Sequence, residues 1–337
     1  MVNKISLNKL NKTLKPRLVH LDQNHTCGIR LINGFLEGIP ELTVDLFGET
    51  ILINDYQQPD GTEPFNYGEI MDFYSNELPW ISSVLVKQRN NPDRKNQIGY
   101  SIKGEKPSRK ILENGIWYAL DFQLNQDASF YLDTRNLRTW LRQNSEGKKV
   151  LNTFAYTGSF GVAAKISGAE EVIQTDRNEK FLSMAKRSYQ LNQLSCHPNE
   201  LVSMDFFSMI GKFKRENRLF DIVILDPPFF SKTDLGKIDL ITNYKWIINK
   251  IRPLIAHNGF LIAINNALFV SGHEYIELLN KLCQDAYLRI QEVISIPDDI
   301  TGYPETITTK PIVDPSPFNY STKIVILQVK RKDLRNS

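Results

Sequence analysis

The feature that most constrains this chain is a repeat in its C-terminal part, where short, near-continuous Val/Ile/Leu runs alternate with helical segments. KKVLNTFA reads as a buried strand, and GSFGVAAKISG as a helix stopped at Gly168. EEVIQTD is a second strand, followed by the long amphipathic helix NEKFLSMAKRSYQLNQL. ELVSMD, FDIVILD, GFLIAIN and KIVILQVK supply further strands with helices between them. Apolar runs of this kind suit a sheet covered on both faces. Repeated β-α-β units then predict an open, doubly wound, Rossmann-like α/β sheet.

Upstream the texture differs, and the 337 residues suffice for about two domains. Residues 1–25 are polar and basic without clear periodicity, which predicts an arm or a loosely docked segment. Residues 26–125 predict a small α+β domain. In it, Leu42, Val44 and Leu46, then Ile51 and Ile53, flank a turn at Gly48. A helical stretch is expected from about Gly68 to Lys87, and Asn114-Gly115 between apolar runs signals a hairpin. Residues 126–337 form the Rossmann-like domain.

Several classes drop out. No stretch approaches the roughly 18–20 apolar residues of a membrane helix, and MVNKISLNKLNKTLKPRLVH lacks the apolar core of an export signal. A soluble, cytoplasmic chain is expected. The net charge of +3 is too mild to announce nucleic acid by itself. Cys27, Cys196 and Cys283 are odd in number and far apart, against a disulfide framework. The pairs His25/Cys27 and Cys196/His197 lack a second pair at ligand spacing, so no metal is expected.

In a doubly wound sheet, ligands bind at the carboxyl ends of the strands. After VLNTF comes Ala155-Tyr156-Thr157-Gly158-Ser159-Phe160-Gly161, whose small residues permit close backbone approach to a ligand at a helix N-terminus, or simply tight packing. The next strand ends at Asp176, placed to accept from both hydroxyls of a ribose, or to cap the helix that follows, as Asn178 also can. The third ends at Asp205, where a carboxylate can accept from an adenine amino group. The fourth runs straight into Asp226-Pro227-Pro228-Phe229-Phe230-Ser231. Its prolines stiffen the loop and present Phe229 as a flat face for a base. Three acidic strand ends in succession after a glycine-bearing turn point to an adenosine-bearing ligand. The spacing is not the GxGxxG of dinucleotide folds, whereas S-adenosylmethionine suits all four positions.

From about residue 115 to 330 the chain resembles the class I S-adenosylmethionine-dependent methyltransferases, through NTFAYTGSFG, TDRNEKF, MDFF and DPPFFS. It is similar in particular to the bacterial 23S ribosomal RNA large-subunit methyltransferases of types I and K. QDASFYLDTRNLR matches their F-L-D-x-R segment, and RLINGFLEGIPELTVDLFGETILI the start of their central domain. The resemblance implies that Asp133 and Arg135 line the methionine end of the cofactor. It implies further that Phe154, Ala155, Tyr156 and Gly158 form its backbone cradle. Asp176 would take the ribose, Asp205 the adenine, and Asp226, Pro227 and Pro228 the region of the transferring methyl. Many type I relatives begin with an RNA-binding PUA domain, and only about 25 residues precede the central domain here. RNA capture would then fall to Lys4, Lys9, Lys12, Lys15 and Arg17, to KQRNNPDRKNQ, or to a partner.

Methylating cytosine C5 requires a cysteine thiolate to add at C6. Where the type I relatives carry that cysteine, this chain has Asn265 and Asn266. The type K relatives carry a similar Asn pair and act on a guanine ring nitrogen. A nitrogen acceptor needs only alignment and a polar group, for which Asp226, Phe229 and Asn265 are the candidates. The expected reaction is therefore methyl transfer to an RNA base, of ribosomal RNA and at nitrogen. The alternatives are a methyltransferase for a protein or small molecule, and a catalytically silent factor that binds S-adenosylmethionine or RNA.

Overall fold

Apolar runs and turn residues place two hairpins of the first unit. The computed structural model describes residues 6–59, 63–233, 235–310 and 314–333. They divide into unit 1, Met1–Asp133 with Pro297–Pro311, and unit 2, Thr134–Ile296 with Ile312–Ser337. Unit 1 begins with α1 (Leu7–Leu14), a 3₁₀ turn (Lys15–His20), β1 (Gly28–Asn33), α2 (Gly34–Glu37), β2 (Leu42–Phe47) and β3 (Thr50–Asp55). It continues with α3 (Tyr67–Glu77), β4 (Ser83–Gln88), α4 (Arg94–Ile98), β5 (Tyr100–Lys103), β6 (Lys110–Glu113) and β7 (Ile116–Ala119). Strands β1 to β5 form one sheet in chain order, and only β3 and β4 are parallel.

The predicted turn at Gly48 joins β2 to β3, and Asn114-Gly115, both at positive φ, join β6 to β7. The helical stretch expected over 68–87 needs correction. Helix α3 stops at Glu77, because Leu78 precedes Pro79 and is barred from helical backbone, and VLVKQ is strand β4. Strands β2 and β3 are buried at every position, so their polar side chains must find partners. Arg30 Nε, for example, donates to Asp45 Oδ1 at 2.7 Å.

The N-terminal segment is folded rather than loosely docked. Leu10 and Leu14 of α1 enter the core of unit 1, and Arg17 is 0% exposed. The Arg17 guanidinium donates to both Glu37 oxygens, at 2.9 and 3.1 Å, and to the Asp299 carbonyl at 2.9 Å. Lys87, from the second basic stretch, is likewise buried. Its ammonium donates to the carbonyls of Phe122, Asn125 and Asp127 at 2.6, 2.8 and 2.7 Å. Neither cation is available to an external anion, and Lys4 lies outside the described residues.

Unit 2 holds α5 (Arg135–Asn144), β8 (Lys149–Thr153), α6 (Ser159–Ile166), β9 (Glu171–Asp176), α7 (Glu179–Leu191), β10 (Leu201–Ser203) and α8 (Phe206–Arg215). It continues with β11 (Phe220–Leu225), β12 (Phe230–Thr233), β13 (Gly236–Asp239), α9 (Tyr244–Ile251), β14 (Ile255–Asn265), α10 (Gly272–Cys283) and β15 (Leu288–Ile294). The chain then returns to unit 1 through α11 (Asp298–Thr301) before closing unit 2 with β16 (Lys323–Val329). The seven-stranded sheet has the order β10-β9-β8-β11-β14-β16-β15, with β16 antiparallel to both of its neighbours. The order reverses between β8 and β11, which makes the ends of those strands the switch point where doubly wound sheets bind ligands.

Candidate active site

Register brings the predicted residues of unit 2 to one edge of the sheet. Thr153 lies beside Thr175 on one side and Leu225 on the other, Ser203 lies beside Asp176, and Leu225 beside Ala263. Phe154, Asp176, Asp205, Asp226 and Asn265 thus all lie at or just past the carboxyl ends of neighbouring strands. Asp133 and Arg135 fall on either side of the division between the units. Asp133 is in the 3₁₀ turn Leu132–Thr134 and Arg135 opens α5; both are half-buried.

The turn after β8 is the most contorted backbone at this edge. Phe154 (φ 53°), Tyr156 (φ 50°) and Gly158 (φ 78°) all adopt left-handed conformations, which cost a non-glycine residue about 1–3 kcal/mol each. Neighbouring groups hold the turn in place. The Ala155 amide donates to the Thr175 carbonyl at 2.9 Å, and the Tyr156 amide to Asp176 Oδ2 at 2.9 Å. The Phe154 ring stacks on Phe206 with centroids 4.7 Å apart.

The glycines of this turn serve packing as well as conformation. A Cβ on Gly158 would lie 2.4 Å from Ala185 Cβ, and one on Gly161 2.1 Å from Gln174 Cδ. Gln174 fills that space from β9, accepting from Asn152 Nδ2 and donating to Tyr189 Oη, each at 3.0 Å. Both glycines are therefore accounted for by the buried Gln174 and Ala185 before any ligand is considered.

Asp176 also accepts the Asn178 amide at 2.9 Å on Oδ1. Burial pushes its carboxyl up from the ordinary carboxylate range, and the amides of Asn178 and Tyr156 oppose that shift. Asp205 caps α8, its Oδ1 accepting the amides of Phe207 (2.9 Å) and Ser208 (3.4 Å). Its Oδ2 accepts no hydrogen bond among the described residues. Both carboxylates are held by backbone amides and keep lone pairs for further donors.

Beyond β11, Pro227 is buried while Phe229 and Phe230 are 42% and 53% exposed. Phe229 is thus presented to solvent beside the strand ends instead of packing in the core. Behind the loop lie two buried phenols absent from the sequence reading. Tyr275 Oη donates to Tyr244 Oη at 3.3 Å, which donates to the Ile264 carbonyl at 2.8 Å. Burial above all, and also the charge of Asp226, push both phenols up, so they stay neutral donors.

Asn265 is 1% exposed. Its Oδ1 accepts the Ala267 amide at 2.9 Å, which fixes the amide's orientation, and its Nδ2 is buried with no hydrogen-bond partner among the described residues. An unsatisfied buried donor costs about 1–3 kcal/mol, so this one invites an acceptor. No cysteine occupies this edge. Burial raises all three thiols, Cys27 to about 11, so none is activated as a thiolate.

Comparison with known proteins gives the family. The profile of the S-adenosylmethionine-dependent methyltransferase family matches residues 34–299. The chain is 28% identical over 333 residues to YwbD of Bacillus subtilis, whose name assigns it to ribosomal RNA large subunit methylation; the match covers 96% of this chain and 80% of YwbD. It is also 28% identical to ribosomal RNA large subunit methyltransferase I of Aeromonas salmonicida, over 85% of this chain and 74% of that one. Among solved structures, the methyltransferase SMU.776 complexed with SAH superposes with a TM-score of 0.78 at 23% identity, covering 97% of this chain and 83% of that one. The M. jannaschii tRNA m1G37 methyltransferase superposes with a TM-score of 0.53 at 15% identity, covering 98% and 82%. This chain belongs to the S-adenosylmethionine-dependent methyltransferase family. It is a methyltransferase, and S-adenosylmethionine is its cofactor.

The residues at the strand ends fit that cofactor. Ribose hydroxyls and an adenine amino group are donors, and Asp176 and Asp205 offer acceptor oxygens on adjacent strand ends. Among the described residues no helix is long and apolar enough to cross a membrane.

Proposed function

We propose that this chain transfers a methyl group to a base of ribosomal RNA, at a nitrogen atom and not at cytosine C5. The observation that carries the reading is Asn265: the end of β14 offers a buried amide donor without a partner among the described residues, where covalent cytosine chemistry would need a thiol. The names of the similar proteins support the RNA substrate.

The cofactor, when bound, supplies an electrophilic methyl group. Asp176 would hold its ribose and Asp205 its adenine, with Asp133, Arg135 and the turn Phe154, Ala155, Tyr156 and Gly158 along the remainder. The exposed face of Phe229 would stack on a base swung out of its RNA. Asn265 Nδ2 would donate to an acceptor on the base edge. Asp226 would accept a hydrogen bond from the base and receive the proton that a methylated ring N–H must lose. Pro227 and Pro228 keep the loop stiff, so alignment is not lost to chain entropy.

The test is to incubate the protein with methyl-labelled S-adenosylmethionine and unmodified ribosomal RNA, then digest the RNA and identify the labelled nucleoside. The reading predicts an N-methylated guanosine or adenosine. Labelled 5-methylcytidine would contradict the nitrogen assignment, and label on a protein or small molecule would contradict RNA as the acceptor.

A further inference from the structure

Unit 2 carries a second feature that the cofactor edge does not use. Two residues beyond Asp205, the Phe207 ring lies under the β12–β13 hairpin: a Cβ on Gly236 would fall 2.4 Å from Phe207 Cε2. On the hairpin, Phe230 is 53% exposed, with Lys237 Nζ 5.3 Å from its ring centroid. On the other side Phe207 meets Trp246 at 5.6 Å between centroids. Trp246 is 42% exposed, and Lys250 Nζ lies 5.0 Å from its ring. Lys214 adjoins Lys250: burial first, and then the charge of Lys250, push its ammonium down from the ordinary lysine range. Lys214 and Lys250 make no ion pair among the described residues, while Lys237 pairs with Asp239 at 2.8 Å.

Exposed aromatic faces interleaved with unneutralised ammonium groups are what a flexible polyanion with flat bases requires. Bases stack on the rings and phosphates meet the cations. We infer that Phe230, Trp246, Lys250 and Lys214, supported from beneath by the half-buried Phe207, form a docking track for single-stranded RNA, leading the flanks of the target nucleotide to the strand-end edge. The inference rests on the RNA reading above and adds the surface that captures the substrate.

The track supplies electrostatic capture that the buried Arg17 and Lys87 cannot. It accounts for exposed aromatic area that is costly to leave in water. It also explains how a chain of near-neutral net charge can bind RNA, since clustering and not total charge sets the local potential.

The test measures binding of a fluorescein-labelled oligouridylate to the full chain by anisotropy, beside methylation of ribosomal RNA by the same preparations. Trp246→Ala is expected to weaken oligonucleotide binding roughly tenfold, the usual scale for one stacked base. Lys214→Glu with Lys250→Glu, which removes the cation over the exposed Trp246 ring and no apolar contact, is expected to weaken it further. It should also flatten the dependence of log K on log salt by at least about one unit. Affinity for S-adenosylmethionine should be unchanged in both. If wild type methylates RNA and both variants bind the oligonucleotide within twofold of it, the track is wrong and the RNA reading stands. If wild type neither binds nor methylates RNA, both fall.

Discussion

Three cations of unit 1 and two strand-end carboxylates of unit 2 are held in opposite ways. In unit 1, the cations are consumed by carboxylates or by carbonyls. Arg17 is locked to Glu37, Arg30 to Asp45, and Lys87 to three backbone oxygens. At the strand ends of unit 2, Asp176 and Asp205 are held by backbone amides, and neither forms an ion pair among the described residues. A charge neutralised by a buried partner is part of the scaffold. A carboxylate positioned by amides alone is oriented yet still able to accept, which is the condition of a binding group.

Substitutions should break that contrast in order of size. Asp226→Ala is expected to lower single-turnover methyl transfer by 100-fold or more, the scale of a lost acid–base group, while the urea midpoint moves little. A stable variant with undiminished transfer would remove Asp226 from the site. Arg17→Met strands Glu37 in the core of unit 1 and should cost about 3–5 kcal/mol in urea unfolding. Adding Glu37→Met should recover much of that loss, as expected when a buried pair is removed whole. If the double variant is no better than the single, the pair is not the scaffold described here.

Asn265→Ala should lower turnover roughly tenfold, with cofactor affinity retained. It removes an unsatisfied donor but also the acceptor of the buried Ala267 amide, so a stability loss of about 1–3 kcal/mol is expected in urea unfolding. Unchanged turnover beside that loss would mark Asn265 as a strand cap alone. The smallest effect is one of pH. Burial lowers the Lys87 ammonium from 10.5 to about 8, so between these values the unfolded chain binds more protons than the folded one. Stability must then rise with pH across that window, by up to about 1.4 kcal/mol per pH unit from this group. The contribution is fully present above 10.5 and lost as pH falls through 8. Lys87→Met should abolish that part of the slope, and an unchanged slope would show that Lys87 does not titrate there.

Much of unit 2 could be read from its residues, because most of its strands are near-continuous apolar runs and the next three parallel strands after β8 each end at or near an acid. Asp176, Asp205 and Asp226 stood out for that reason. Strand β15 was missed: it lies at the edge of the sheet and is mostly exposed, so LRIQEVI shows no buried run. Tyr244 and Tyr275 were missed because only folding brings two distant phenols together behind Asp226. Arg17 and Lys87 look like solvated cations in a basic stretch, and nothing local marks their carbonyl and carboxylate partners. The return of Pro297–Pro311 to unit 1 is equally silent, since it depends on Asp299 meeting Arg17 and Arg30, which lie far away in sequence. Gly158 and Gly161 were found, but their packing against Gln174 and Ala185 was not.

The most direct test is a calorimetric titration of S-adenosylmethionine into Asp176→Ala, paired with its unfolding curve. The account predicts cofactor affinity weakened at least about tenfold, because charge-assisted hydrogen bonds to the ribose are lost, with a loss of about 1–3 kcal/mol in unfolding free energy because the Tyr156 and Asn178 amides lose their acceptor. Unchanged affinity would mean that carboxylates held by amides at these strand ends are caps and turns, and that the cofactor site has been misplaced.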